Sequence, residues 1–158
     1  MMDKSTKEAM FSSKSVEWST PQDFYVKLDR MFGPFTLDPC SDGENNKTQK
    51  FFTKDDNGLQ QDWSGHTVFM NPPYGRGIGE WISKAYKEGN KPNTKVVCLI
   101  PARTDTKYWH DYVMKAQIVL FVRGRLKFGD SKNSAPFPSA VVLFDGNSLP
   151  VMGSLERE

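Results

Sequence analysis

The sequence is poor in the residues that build disulfide frameworks and metal sites. Its 158 residues include two cysteines and two histidines. Neither Cys40 nor Cys98 has a cysteine or histidine neighbour at metal-ligand spacing, and two isolated thiols make no disulfide framework. We therefore expect reduced thiols and no metal.

Long hydrophobic runs are also missing. The uncharged apolar stretches are only a few residues long and residues 1–15 are polar, which argues against a membrane-spanning helix and a signal peptide. The expectation is a cytoplasmic protein with no membrane partner.

Two further absences narrow the chemistry. Gly43 stands alone in its loop, so the glycine-rich cradle that binds nucleotide phosphates is missing. His66 and His110 have no paired serine or cysteine nucleophile in a recognisable arrangement, which argues against a hydrolytic triad.

The chain has the size of one domain. With 37% hydrophobic and 25% charged residues, we expect a flexible arm at 1–17, a single domain at 18–150 and a polar tail at 151–158. The net charge is only +2, but residues 95–132 carry eight basic against three acidic side chains. That local surplus indicates either a surface that faces a polyanion or an ordinary solvated helix face.

Strand-like and helix-like segments alternate along the domain. Continuous apolar runs predict strands buried on both faces, and the alternation predicts a three-layer α/β/α sandwich with a mostly parallel sheet and an antiparallel C-terminal edge. The first helix is predicted to begin with Thr20 as its N-cap and Pro21 in its first turn. The predicted strands are 35–38, 67–70, 95–100, 118–122 and 139–144, and the predicted helices begin near residues 20, 77 and 105.

The tetrapeptide Asn71-Pro72-Pro73-Tyr74 directly follows the apolar run Val68-Phe69-Met70 and therefore lies at the end of a predicted strand. Strand ends are where the catalytic residues of α/β enzymes are usually found. Asn71 offers a side-chain carbonyl, and the prolines fix the direction of the next backbone carbonyl. Two acceptors on the hydrogens of an aromatic amine would free its lone pair for attack, and Tyr74 would stack on a base that has left the duplex. The structural alternative is a strand-terminating turn beside an ordinary half-buried tyrosine.

If the chemistry is transfer of a methyl group to such an amine, two acidic residues near strand ends are candidates for binding the methyl donor. Asp38, in Leu37-Asp38-Pro39-Cys40-Ser41, is expected to accept from the donor's ammonium group or to cap the following loop. Asp62 is a candidate for reading the donor's adenine amine, with Trp63 packed nearby or simply in the core.

Taken in order, these residues resemble the phage-type, Dam-like DNA N-6-adenine methyltransferases. The similarity covers most of the chain. Its motifs are 18–21 (WSTP), 37–41 (LDPCS), 51–53 (FFT) through 62–63 (DW), 71–76 (NPPYGR), 101–105 (PARTD) and 123–128 (RGRLKF).

The resemblance implies a Rossmann-like methyltransferase fold, S-adenosylmethionine as donor, double-stranded DNA as partner and adenine N6 as target. It also implies that Asn71, Pro72, Pro73 and Tyr74 perform the transfer. The implied donor contacts are Trp18, Thr20, Pro21, Asp38, Pro39, Cys40, Asp62, Trp63 and Asn71.

No separate target-recognition domain fits in this length. DNA reading is therefore expected from loops 75–79 and 129–138, or from a second subunit in a homodimer. The residues expected to contact phosphates or bases, with surface ion pairs as the alternative, are Arg76, Arg103, Arg123, Arg125 and Lys127.

Two other classes of function remain open at this point. Similar Asn-Pro-Pro-Tyr motifs serve enzymes that methylate RNA bases or a glutamine amide in proteins, because both substrates present a planar amine. A noncatalytic DNA-binding module is the third hypothesis.

Overall fold

The computed structural model of the protein describes residues 19–146 and 150–158, so Trp18 and the arm expected at 1–17 lie outside the described residues. The helices are α1 (Gln22–Phe32), α2 (Ile78–Gly89) and α3 (Lys107–Asp111), with 3-10 turns at Gly58–Gln60 and Val113–Lys115. The strands are β1 (Thr67–Met70), β2 (Lys95–Pro101), β3 (Ile118–Arg123), β4 (Ser139–Phe144) and β5 (Val151–Glu156). None of the helices in these ranges is long and apolar enough to cross a membrane.

The five strands form one mixed sheet in the order β1-β2-β4-β3-β5. β1 is parallel to β2 and β3 is parallel to β5, whereas β4 runs antiparallel to both of its neighbours. The α/β class is confirmed, but the antiparallel strand lies inside the sheet and not at its edge. Every residue of β4 is buried, which suits a central position.

The expected C-terminal tail is part of the sheet. Val151–Glu156 forms β5, an edge strand in which only Leu155 is buried. Edge strands are often polar and contain glycine, as Gly153 does here, so this segment resembles a tail when read from sequence alone.

The predicted strand at 35–38 is an irregular extension of the sheet beyond β1. Leu37 bridges Val68 and Asp38 bridges Phe51, both in parallel orientation. The Phe69 N–H also donates to the Leu37 carbonyl at 3.0 Å. These contacts bring Asp38 alongside the end of β1.

The first helix packs on β1 through aromatic rings. The centroid of the Tyr25 ring lies 5.7 Å from that of Phe35 and 5.1 Å from that of Phe69. The helix begins at Gln22, with Pro21 in the N-cap position and no side-chain capping bond. Thr20 is therefore not the N-cap, and its hydroxyl is used elsewhere.

The end of α2 approaches β4 so closely that it requires glycine. A Cβ on Gly89 would stand 2.5 Å from the carbonyl oxygen of Phe144 and 2.6 Å from its Cβ, whereas a Cβ on Gly77 would meet nothing within 4 Å. Neither glycine has a left-handed backbone, so the two sites differ mainly in space.

Gly89→Ala should therefore lower the free energy of unfolding by about 1–3 kcal/mol, because the added methyl overlaps backbone of β4. Gly77→Ala is the matched control and should change it by less than about 0.5 kcal/mol. Chemical denaturation of both variants measures the difference. Equal stability of the two variants would contradict this packing.

Candidate active site

The carboxyl ends of β1, β2, β3 and β5 meet along one side of the sheet, which we call the carboxyl edge; β4 begins there. The chain continues from this edge after Met70, Pro101 and Arg123, where β1, β2 and β3 end, and it returns there at Ser139, where β4 begins. The topology thus gathers at one edge the Asn-Pro-Pro-Tyr turn, the Arg103 loop and the Arg123–Lys127 segment. Loops beyond strand ends of this kind carry ligand sites in α/β folds.

The side-chain amide of Asn71 is held at both ends. Its Nδ2 donates to the Thr20 hydroxyl at 3.0 Å, and its Oδ1 accepts from the Tyr74 hydroxyl at 2.9 Å. The amide orientation is therefore set by two neighbours on opposite sides.

Tyr74 is a buried residue and not an exposed stacking platform in this structure. Its hydroxyl also lies 3.2 Å from the carbonyl oxygen of Leu99, and burial raises the pKa of the phenol far above its usual range. Phe137 and Phe128 contact its ring edge-on, with centroids at 5.4 and 6.2 Å. Stacking of Tyr74 on a base stays a prediction, and it requires a change in these contacts.

A small cavity of about 140 Å³ adjoins Tyr74 at the carboxyl edge. Cavities of about 150 Å³ can hold a single benzene ring. Apolar groups and polar groups both contribute to the wall, which includes Tyr74, Ile78, Arg103, Thr106, Tyr108 and Phe137. The mixture suits a flat aromatic ligand that also carries hydrogen-bonding groups.

Asp38 is a buried carboxylate that caps the loop after it. Its Oδ1 accepts from the Cys40 N–H at 3.2 Å and its Oδ2 from the Lys47 N–H at 3.1 Å. Burial raises the pKa of Asp38 to about 6, and the two amide bonds oppose that rise. The capping alternative is thus observed, while each oxygen keeps a free lone-pair direction for a further donor.

Asp62 and Trp63 have structural partners. Asp62 is exposed, and its carboxylate accepts from the Ser64 hydroxyl and the Ser64 N–H and pairs with Lys91 at 3.1 Å. These contacts lower the pKa of Asp62. Trp63 is fully buried, and its Nε1–H donates to the Gly58 carbonyl at 2.9 Å. The Trp63 N–H donates to the carboxylate of Glu88, so this segment is tied to α2.

The other expected donor contacts surround Asp38 and Thr20. The Pro21 carbonyl accepts the first helical bond of α1, from Tyr25. Pro39 is buried, and its carbonyl lies so close to Gly58 that a Cβ there would approach it to 2.2 Å. Cys40 is half-buried, and burial raises the pKa of its thiol.

The basic residues expected to contact DNA differ in their environments. Arg76 and Lys127 are exposed and Arg103 lines the small cavity. Arg123 pairs with Glu156 at 3.1 Å, so for this residue the structure contains the surface ion pair that was the alternative to a DNA contact. Arg125 donates to the Ala135 carbonyl at 3.3 Å and so braces the 129–138 loop.

Comparison with known proteins shows which family the chain belongs to. A family model described as DNA N-6-adenine-methyltransferase (Dam) matches residues 8–146. The chain belongs to this family. A DNA N-6-adenine-methyltransferase of Haemophilus phage HP1 is 30% identical over 135 residues, which are 81% of this chain and 78% of that protein. Another, from Escherichia phage T1, is 27% identical over 110 residues, covering 69% of this chain and 45% of that protein.

Sequence reasoning missed several contacts that shape the site of this Dam-family chain. The bond from Asn71 to Thr20 joins residues 51 positions apart, so no local pattern contains it. Ser139 is fully buried at the carboxyl edge, and its hydroxyl has no hydrogen-bond partner among the described residues. Phe128 packs on Tyr74, but in the sequence it is only the last residue of the 123–128 motif, and nothing there predicts this contact. No cluster of three metal-ligating side chains occurs within 19–146 and 150–158.

The raised pKa of Asp38 predicts a pH-dependent stability. Because its folded-state pKa of about 6 exceeds the unfolded value of about 3.9, Asp38 favours the folded state most below pH 4 and loses that contribution as pH rises through 6. The loss should be roughly 2–3 kcal/mol. Denaturant unfolding of wild type and Asp38→Asn at several pH values isolates this contribution, because Asn does not titrate.

We expect the stability of the wild type relative to Asp38→Asn to fall between about pH 4 and pH 7. A difference that stays constant over this range would show that the Asp38 carboxyl titrates normally.

Proposed function

We propose that the protein transfers a methyl group from S-adenosylmethionine to N6 of an adenine in double-stranded DNA, within a three-layer, Rossmann-like methyltransferase fold. The observation that carries the proposal is the Asn71 amide, fixed at the carboxyl edge between Thr20 and Tyr74 beside a cavity of aromatic size. Membership of the Dam family supports the same reaction.

Asn71 and Pro72 act on the acceptor nitrogen. The lone pair of adenine N6 is delocalised into the ring, which makes the amine a weak nucleophile. Oδ1 of Asn71 and the carbonyl oxygen of Pro72 accept its two hydrogens and draw the nitrogen toward tetrahedral geometry. After transfer the nitrogen carries an extra proton, which leaves to water. Most of the rate enhancement then comes from alignment and fixed dipoles.

Asp38 fits the cationic part of the donor. Bound S-adenosylmethionine supplies an electrophilic methyl on a positively charged sulfur. A buried carboxylate with a raised pKa and unused lone pairs gains from a nearby cation, which restores its ionised form. Pro39 and Cys40 belong to the loop that Asp38 caps, and they would border the amino-acid end of the donor. Trp18, Pro21, Asp62 and Trp63 remain proposed donor contacts of lesser weight, because Asp62 and Trp63 already have structural partners.

The target adenine would enter the small cavity after leaving the duplex. Flipping costs a few kcal/mol, and stacking on an aromatic side chain returns about 1–3 kcal/mol per base. Phe137 covers an edge of Tyr74, so its loop would move for a base to reach the tyrosine ring. Arg76, Arg103, Arg125 and Lys127 would contact the DNA, and Arg123 would exchange Glu156 for a phosphate.

The reaction is tested with isotope-labelled S-adenosylmethionine and three acceptors: unmethylated duplex DNA, RNA and a protein mixture. Mass spectrometry of the digested products should find N6-methyladenine from DNA alone. Label in an RNA base or in a glutamine amide would replace the proposed acceptor. Binding of DNA without any transfer would favour a noncatalytic module.

Asn71→Ala should lower the turnover number with DNA by about 10²–10³, the usual cost of removing one preorganised polar group. Asn71→Asp is the matched variant, because it keeps an acceptor oxygen and should retain more activity than Asn71→Ala. Steady-state kinetics on folded protein measure both. Equal losses in the two variants would mean that the oxygen of residue 71 does not polarise the amine.

Thr20 is proposed to act through Asn71 as a positioning residue, a role different from its expected donor contact. Thr20→Val removes the hydroxyl at nearly constant shape and so removes the hydrogen bond from Nδ2 of Asn71 to Thr20. The loss of about 1 kcal/mol predicts a several-fold lower turnover number and little change in KM for the donor. Thr20→Ser should restore the rate. A raised donor KM with an unchanged turnover number would instead support direct contact with the donor.

A further inference from the structure

A second and larger depression lies between α2 and α3, which we call the helix groove. Its volume is about 640 Å³. One wall is a helical stripe of α2 that includes Glu80, Ser83 and Lys87, and the other is formed by Lys107 and Asp111 of α3. The groove thus lies between one face of α2 and one face of α3.

The helix groove leads to the small cavity beside Tyr74. Gly75, Ile78 and Tyr108 line both spaces. The absence of a side chain at Gly79 leaves the α2 backbone close to Tyr108, because a Cβ there would already stand 3.7 Å from the Tyr108 Cβ. A ligand bound in the groove is therefore adjacent to anything bound in the cavity.

Three cations of the groove are exposed to solvent. Arg76, Lys87 and Lys107 are exposed, and none of them takes part in an ion pair within residues 19–146 and 150–158. A fourth, Lys84, is partly buried and pairs with Glu88 at 2.6 Å. Because Glu88 neutralises Lys84, the three exposed cations stand against two acids in the wall, Glu80 and Asp111, and the net charge of the groove is positive by one.

The spacing of the cations suits a polynucleotide backbone. From Ile78 to Lys87 the helix rises about 14 Å at 1.5 Å per residue. One DNA strand presents a phosphate about every 3.4 Å along the axis, so this length spans about four phosphates. Two exposed cations lie near the ends of this length, Arg76 before the helix and Lys87 in its last turn. Cations separated in this way suit a linear polyanion, whereas a small anion would need convergent donors.

We propose that the helix groove binds the phosphodiester backbone of the DNA next to the flipped adenine, with Lys87 and Lys107 as contacts that extend the site beyond Arg76. This inference rests on the proposed function, because it places the strand beside the cavity that takes the base. The groove would anchor the duplex without reading its sequence, as phosphate contacts do.

The test is the salt dependence of DNA binding, measured by fluorescence anisotropy with a labelled short duplex. Each phosphate contact contributes about 0.9 to the slope of log K against log salt. Lys87→Gln/Lys107→Gln should therefore reduce that slope by about 2. The matched control is Lys50→Gln/Lys95→Gln, which removes the same charge; Lys95 begins β2, at the edge opposite Asn71. The control should leave the slope nearly unchanged.

The inference is overturned if the groove variant keeps the wild-type slope and affinity, or if the control variant loses as much as the groove variant. Thermal denaturation shows that both variants are folded, and donor binding by calorimetry should be equal in both. Mass spectrometry of DNA treated with the wild-type protein distinguishes failure of the proposed methylation from failure of the proposed groove contact. DNA methylation with an unchanged slope refutes only the groove, while a reduced slope without methylation refutes only the reaction.

Discussion

The geometry of the site depends on one constraint, the orientation of the Asn71 amide. Thr20 fixes its nitrogen and Tyr74 its oxygen, and the Tyr74 hydroxyl also lies within 3.2 Å of the Leu99 carbonyl. The orientation of this single side chain thus depends on three parts of the fold: the segment before α1, the turn after β1 and the interior of β2. An amide held in this way is a fixed dipole, and fixed dipoles lower a reaction barrier because they need no rearrangement in the transition state.

The surroundings of this amide combine rigid and adjustable parts. Asp38 and its two amide bonds fix the loop after it, and Glu88 ties the Trp63 segment to α2. On the other side, the Phe137 loop covers Tyr74 through edge-on ring contacts and a brace from Arg125. Edge-on contacts between rings contribute about 0.5–1.5 kcal/mol beyond burial. Displacement of the buried Phe137 would add about 1.5–3 kcal/mol of lost burial, which a base stacked in its place would have to offset.

Much of the fold could be predicted from the sequence because its signals are local. The apolar runs of β1 and β4 gave the observed bounds, and the stripe of α2 placed that helix to within a residue. The position of β4 inside the sheet and the pairing of β5 depend on contacts between distant segments, which no local pattern encodes. The same holds for the site. The Asn-Pro-Pro-Tyr turn is visible in the sequence, whereas the Thr20 contact and the enclosure of Tyr74 arise only in three dimensions.

The proposed reaction requires Asn71 and Pro72 together to hold the target amine. The most direct measurement is a crystal structure of the protein with a nonreactive donor analogue and a duplex that contains the target adenine. We expect Asn71 Oδ1 and the Pro72 carbonyl oxygen both to lie within hydrogen-bonding distance of N6, with Nδ2 of Asn71 still bonded to Thr20. An adenine bound with N6 away from these two oxygens, or an Asn71 amide turned from Thr20, would contradict it.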